Sequence, residues 1–266
     1  MSEIKMITID LDGTLLRSDG TVSQHTLDVL QKAREKGIIV AIATGRMYQG
    51  AHKYGEMLHL GDSPLLLFAG GLIETLASKN ILFQQPVSLA DTTKVLALAK
   101  KYHWQMQTYI DDVLGVAEYG PLIQEYEQVT GCKAVVYGDA FYTPKGPSNK
   151  LLSRGTHEEL VQRKEIIERE MPGKFMIAFS APTFMEMMPQ GVNKGVGIQR
   201  LGALYGITVP QIMALGDSQN DLDMLKAAGL SVAMDNAADE VKACADVVTA
   251  SNNDDGVAKA IEKYVL

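Results

Sequence analysis

The chain has 266 residues, 46% of them hydrophobic and 21% charged, enough apolar material for a sizeable core and too much for a disordered chain. Its formal net charge of -7, with no cluster of Lys and Arg, excludes the basic surface that binding a nucleic-acid phosphate backbone requires. The cysteines, Cys132 and Cys244, lie far apart and outside any CxxC spacing, which excludes a disulfide framework or a structural zinc site and predicts a reducing cytoplasm.

The opening residues Met-Ser-Glu-Ile-Lys lead into an apolar stretch too short for a signal-peptide core. That stretch, residues 6–9, is apolar without alternation, the pattern of a strand covered on both faces. Residues 38–43, 65–68, 212–215 and 230–234 share the pattern, and even the apolar run around residues 65–73 is too short to span a bilayer. Between the first two strands, Ser23 is placed to cap a helix carried by Leu27, Leu30 and Ala33 and ended by Gly37. Residues 221–228, stopped by Gly229, read the same way. Strands alternating with helices predict an α/β fold, a doubly wound, mostly parallel Rossmann-like sheet whose ligands sit beyond the carboxyl ends of the strands.

The texture changes over residues 84–189. Strand-like pieces at 105–109, 133–137 and 176–179 accompany two helical segments, one opened by a capping box of Thr156 and Glu159 and running to about Glu170. Residues 142–149, with Pro144, Gly146 and Pro147, form a turn-rich connection. The expectation is an inserted α+β cap domain at 84–189 within a core of 1–83 and 190–266. Met187, Met188, Tyr102, Trp104 and Tyr109 are expected in the core of that insert. No repeat or heptad pattern suggests a scaffold.

Four constellations carry chemistry. Asp10-Leu11-Asp12-Gly13-Thr14-Leu15 follows the first strand, and residues two apart in an extended chain point the same way, so two carboxylates converge there. One can attack an electrophile or bind a hard cation while the other transfers protons. A solvated Asp-Gly turn is the plainer reading, but the pattern would arise by chance in about one chain in a few thousand. Thr44-Gly45-Arg46 ends the second strand, where a hydroxyl and a flexible backbone hold phosphate oxygens or simply make a turn, with Arg46 as a charge or domain clamp. Gly216-Asp217-Ser218-Gln219-Asn220-Asp221 packs two carboxylates and an amide into one turn, suited to a hard cation and equally to capping a helix. Lys194, in Gly191-Val192-Asn193-Lys194-Gly195, is an ordinary loop lysine by itself; beside carboxylates and a phosphate it supplies the fixed cation such a site needs. Other motifs fail. Residues 45–50 have P-loop glycine spacing, but Ala51 and His52 stand where Lys and Ser or Thr are required. Gly195-Val196-Gly197 lacks the third glycine of a dinucleotide fingerprint, and His25, His52, His59, His103 and His157 form no ligand pair.

In this order, DLDGTLL, TGR, NKG and GDSQND resemble the four motifs of the haloacid-dehalogenase-like phosphatases, and residues 179–195 and 253–264 are similar to the Cof-type subfamily. The resemblance spans essentially the whole chain. It implies Asp10 as nucleophile and Asp12 as the acid that protonates the leaving oxygen and later activates water. Thr44, Gly45, Arg46 and Asn220 would surround the phosphoryl group, with Lys194 bridging it and Asp10. Mg2+ would be held by Asp10, the backbone carbonyl of Asp12 and Asp217, with Asp221 in support. The insert would be a lid that selects the leaving group. The expected function is a cytoplasmic, Mg2+-dependent phosphatase of small phosphorylated metabolites, sugar phosphates ahead of cofactors such as pyridoxal phosphate, acting as monomer or homodimer without membrane or nucleic acid. A sugar phosphomutase and a catalytically silent sensor are the alternatives; the length and Asp12 count against a signalling receiver domain. Ala69-Gly70-Gly71, where the family often has Asn-Gly-Ala, and Asp235, where Gly is frequent, bear on substrate preference rather than on the reaction.

Overall fold

A computed structural model describes residues 3–266; Met1 and Ser2, with which the N-terminal reading begins, lie outside the described residues. The chain divides into two compact units, Met1–Arg46, Ala51–Phe83 and Asn193–Leu266 forming one, Met47–Gly50 and Gln84–Val192 the other. Met47–Gly50, which the sequence pattern assigns to the core, falls in the second unit, where the Gln49 side chain donates to the Asp112 carbonyl at 2.6 Å.

In chain order the elements begin with β1 (Met6–Ile9), α1 (Gln24–Glu35), β2 (Ile39–Ala43), α2 (Tyr48–Met57), β3 (Pro64–Leu67), β4 (Leu72–Thr75) and β5 (Ile81–Gln84). There follow α3 (Leu89–Tyr102), β6 (Gln105–Ile110), β7 (Val113–Val116), α4 (Pro121–Thr130), β8 (Ala134–Val136), β9 (Leu151–Arg154), α5 (His157–Glu170), β10 (Phe175–Ala181) and β11 (Phe184–Pro189). The chain closes with α6 (Lys194–Leu204), β12 (Ile212–Gly216), α7 (Leu222–Ala227), β13 (Leu230–Ala233), α8 (Asp239–Cys244), β14 (Val247–Val248) and α9 (Gly256–Tyr264).

In the first unit β14-β13-β12-β1-β2-β3-β4-β5 form one sheet, parallel from β14 through β3, with β4 antiparallel to β3. Every residue of β1, β3 and β13 is buried, which is why apolar residues occupy both faces of these strands; the polar members Thr8 and Ser231 donate their hydroxyls to the Met213 carbonyl and the Asp246 carboxylate. Met6, Ala41, Leu66, Ile198, Leu201 and Ile212 meet in one core cluster beneath α6. Ser23 caps α1 by accepting from the Thr26 N-H. Strand β3 ends one residue earlier than its apolar run, because Phe68 and Ala69 turn through left-handed backbone, with Ala69 at φ 54. A non-glycine residue there carries a steric cost that Asn or Gly would lessen. The helix expected from 221 is preceded by a 3-10 turn, Gln219–Asp221.

In the second unit the order β10-β11-β9-β6-β7-β8 is antiparallel except for the parallel pair β7 and β8. Val95 and Leu96 of α3, Leu160 and Ile167 of α5, and Met106, Leu151, Met185 and Met187 of the sheet share one core. The Thr156 and Glu159 capping box is formed in both directions. Three helices stand where two are expected; the additional one, α4, starts at Pro121 and is stopped by Gly131 at φ 73, a Pro-in, Gly-out signature with few buried apolar residues. Trp104 and Tyr109 are buried as expected, but Tyr102 is 41% exposed and stacks on Trp104 from outside. No described helix is long and apolar enough to cross a membrane.

Candidate active site

Parallel pairing brings the motifs together. Ile9 of β1 lies opposite Leu215 of β12 and Ile42 of β2, so Asp10, the turn after Gly216 and Thr44 leave the sheet at the same edge. Lys194 arrives there as the first residue of α6, whose N-cap Asn193 accepts from the Val196 N-H. Gly195 lets α6 run close against α7: a Cβ there would stand 2.3 Å from the Asp223 carbonyl oxygen.

The Lys194 side chain is wholly buried, and its Nζ donates to Asp10 Oδ1 at 2.5 Å and to Asp221 Oδ1 at 2.6 Å. The other oxygen of Asp221 accepts from the Asp217 and Ser218 N-H groups, each at 3.1 Å. Asp221 is therefore committed on both oxygens. Asp217 Oδ1 accepts from the Thr14 hydroxyl at 2.7 Å, and its Oδ2 is so near Gly13 that a Cβ there would approach to 2.4 Å. Among the described residues, Asp10, Asp217 and Asp221 form an acidic group with oxygens within 4.8 Å of one another. Hard oxygen donors at this spacing suit Mg2+, and one lysine does not neutralise three carboxylates, so the residues fit a divalent cation.

Burial pushes the Asp10 carboxyl up to about 7, against the pull of Lys194 and with Asp221 and Asp217 adding to the rise. Burial likewise raises Asp217, opposed by the Thr14 hydrogen bond and helped by Asp221. Burial works against the Lys194 ammonium, yet Asp10 and Asp221 outweigh it and hold its pKa above the ordinary value. These are the marks of a cluster built for a further positive charge.

Asp12 sits apart from this cluster. Its side chain is 58% exposed and forked by Arg46, Nε to Oδ2 at 2.9 Å and Nη2 to Oδ1 at 2.6 Å, while the guanidinium lies over the Tyr54 ring. The Thr44 side chain is buried, its Oγ1 accepting from the Arg46 N-H at 3.2 Å. Gly45 has no heavy atom within 4 Å of the place a Cβ would take, and Asn220 is exposed with its Oδ1 accepting from Ser218.

A model of the haloacid dehalogenase-like hydrolases matches residues 7–261. The chain belongs to the haloacid dehalogenase-like hydrolase family. Its relatives include the 5-amino-6-(5-phospho-D-ribitylamino)uracil phosphatase YcsE of Bacillus subtilis (strain 168), 31% identical over 264 residues that make up 99% of this chain and 97% of that protein. Pyridoxal phosphate phosphatase YbhA of Escherichia coli (strain K12) is 26% identical over 98% of this chain and 99% of that one. A solved haloacid dehalogenase-like hydrolase from Bacteroides thetaiotaomicron is 30% identical with a TM-score of 0.91, covering 98% of this chain and 99% of its own. With this family and relatives of its own length, the chain is a phosphatase enzyme.

Sequence reasoning passes over three residues of this hydrolase that touch the motif segments. Thr14, inside the first motif, orients Asp217. Asn236 and Asn252 donate to the carbonyls of Gly13 and Leu16. The Asn236 and Asn252 contacts join segments more than two hundred residues apart, so no local pattern signals them.

Proposed function

We propose that this hydrolase removes phosphate from small phosphorylated metabolites, sugar phosphates foremost, through a transient phospho-aspartate on Asp10. The observation that carries the proposal is the buried ammonium of Lys194 joining Asp10 and Asp221 beside Asp217 at the carboxyl edge of a parallel sheet. An Asp10 oxygen attacks phosphorus, the bond to the leaving oxygen breaks, and Asp12 gives that oxygen its proton. Water then attacks the phosphorus and passes a proton to Asp12. The bond from phosphorus to Asp10 breaks, releasing inorganic phosphate and restoring both carboxyls.

Asp10, Asp217 and the Asp12 carbonyl would hold Mg2+, with Asp221 supporting through Lys194 and the turn amides. When bound, the cation offsets charge on the phosphoryl oxygens. Lys194 holds Asp10 in place, and Thr44, Gly45 and Asn220 are the proposed phosphoryl neighbours. Asp12 reaches the leaving oxygen by rotating away from its fork with Arg46, whose guanidinium then takes up substrate charge. Residues 84–189 are the proposed lid, selecting the leaving group. Sugar phosphates lead because YcsE acts on a phosphorylated ribityl chain.

The test is phosphate release from sugar, cofactor and nucleotide monophosphates and p-nitrophenyl phosphate, with Mg2+ and with chelator. Release that needs Mg2+ and disappears in Asp10→Asn is the expected result. An isomerised sugar phosphate without free phosphate, or full activity in Asp10→Asn, refutes the proposal.

A further inference from the structure

Asp12 lies three residues beyond Ile9, where the pairing of β1 ends, in a connection that relies on Gly13 at φ 84 to turn. A glycine beside a group that must aim a proton is a weak point, since it resists rotation of the adjoining peptide less than any other residue. The structure answers with a bracket from the far end of the chain. Asn236 Nδ2 donates to the Gly13 carbonyl at 2.8 Å. Asn252 Nδ2 donates to the Leu16 carbonyl at 2.8 Å, and the Asn252 N-H donates to Asn236 Oδ1 at 2.9 Å, so the two amides are seated on one another. Farther along, Asn253 Oδ1 accepts from the Ser18 N-H at 3.0 Å and Arg17 pairs with Asp255 at 2.8 Å. Residues 13–18 are thus gripped along their length by 236–255, and the contact nearest Asp12 is that of Asn236.

We infer that Asn236, seated by Asn252, is a positioning residue for Asp12, fixing the turn that follows it through the carbonyl of the Gly13–Thr14 peptide. The inference rests on the reading of Asp12 as proton donor. Its physical content is directional. Loosening the Gly13 carbonyl leaves Asp10 and Lys194 where they are, since their contacts with each other and with Asp221 do not involve Asn236, while Mg2+ binding by the variants reports whether Thr14, on the same peptide, still holds Asp217. What degrades is the aim of the proton, and a misplacement on the order of 1 Å costs up to about 100-fold.

Leaving-group dependence reads that aim. An alkyl oxygen needs its proton as it departs, whereas p-nitrophenolate leaves without one. Asn236→Asp keeps the acceptor for Asn252 and loses only the donation, and Asn236→Ala loses both without adding charge. Because Asn236 is exposed, both variants should fold, as a thermal melt and Mg2+ binding would verify. Because Asp12 also serves the water step, which every substrate shares, the readout is the single-turnover rate of leaving-group release: it should fall about 10–100-fold on glucose 6-phosphate in both variants and stay within about 3-fold of wild type on p-nitrophenyl phosphate, the pattern of a proton donor made less effective. Equal losses of the single-turnover rate on both substrates mean a merely structural contact and overturn the inference, as does an unchanged single-turnover rate on glucose 6-phosphate. Asp12→Asn is measured alongside. If it shows the selective pattern and the Asn236 variants do not, the positioning role alone falls; if it shows no selectivity, the reading of Asp12 falls and takes this inference with it.

Discussion

Asp10→Asn should do more than stop turnover: without metal, it should change how the fold responds to pH. The Asp10 carboxyl titrates at about 7 in the folded chain against an ordinary 3.8, chiefly because it is buried. Its proton is therefore held more tightly folded than unfolded, so its contribution to stability is complete below 3.8 and is lost as pH rises through about 7. The loss approaches about 4 kcal/mol above pH 8, of which about 2 kcal/mol is already gone by pH 5. Between those pH values wild type should shed about 2–3 kcal/mol that Asp10→Asn keeps, a large share of the roughly 5–15 kcal/mol that holds a domain folded. Urea unfolding in chelator, with hydrogen exchange of the β1 and β12 amides reporting the first unit directly, measures this difference. A difference between the two proteins that is flat from pH 5 to pH 8, or that grows in the opposite sense, would refute the reasoning. Added Mg2+ should shrink it, because the cation offsets the charge that burial penalises.

Thr14→Val deletes the hydroxyl that orients Asp217, and calorimetric titration should find Mg2+ affinity weakened about 10–100-fold; an unchanged affinity would remove Thr14 from the site. Gly195→Ala sets a Cβ 2.3 Å from the Asp223 carbonyl oxygen, so α6 must shift and carry Lys194 with it. Both melting temperature and kcat should drop, and a variant as stable and active as wild type would contradict the packing described. Ala69→Gly relieves a left-handed alanine and should stabilise the first unit by about 1 kcal/mol in urea unfolding, with destabilisation as the contrary result. Chelation should abolish turnover reversibly, and Mg2+ at about 100 times its Kd should add about 2.7 kcal/mol to stability if only the folded state binds it; a melt indifferent to Mg2+ would count against the site.

The parts of the fold legible in sequence are those whose environment is uniform. Strands β1, β12 and β13 are covered on both faces and so carry apolar residues on both, with the small Thr8 and Ser231 as their polar members. Strands β9 and β11 resist the same reading because their burial is mixed with charge. Arg154 is 2% exposed with Glu125 and the Leu122 carbonyl as partners, and Glu186 pairs with the buried Lys150. A polar residue satisfied by a distant partner looks, in sequence, like a surface residue. The site divides along the same line. Asp10, Asp217, Asp221 and Lys194 stand in compact motifs and meet in space, whereas Asn236 and Asn252 act across separations of 223 and 236 residues. The outward fork of Asp12 with Arg46 is also invisible in the motif, since period-two geometry alone would aim Asp12 beside Asp10.

The place of β1 between β12 and β2 has a consequence for synthesis. Translated at roughly 5–20 residues per second, β1 waits about 10–40 s for the strand that completes its pairing. The segment Gln84–Val192, contiguous in sequence and with its own core, is finished first. On the ribosome it can fold as a unit while the first strand is still flanked on one side only, its open edge a template for misplaced pairing. Until β12 emerges the nascent chain has neither Asp217 nor Asp221, so catalytic competence and closure of that edge arrive with the same few residues.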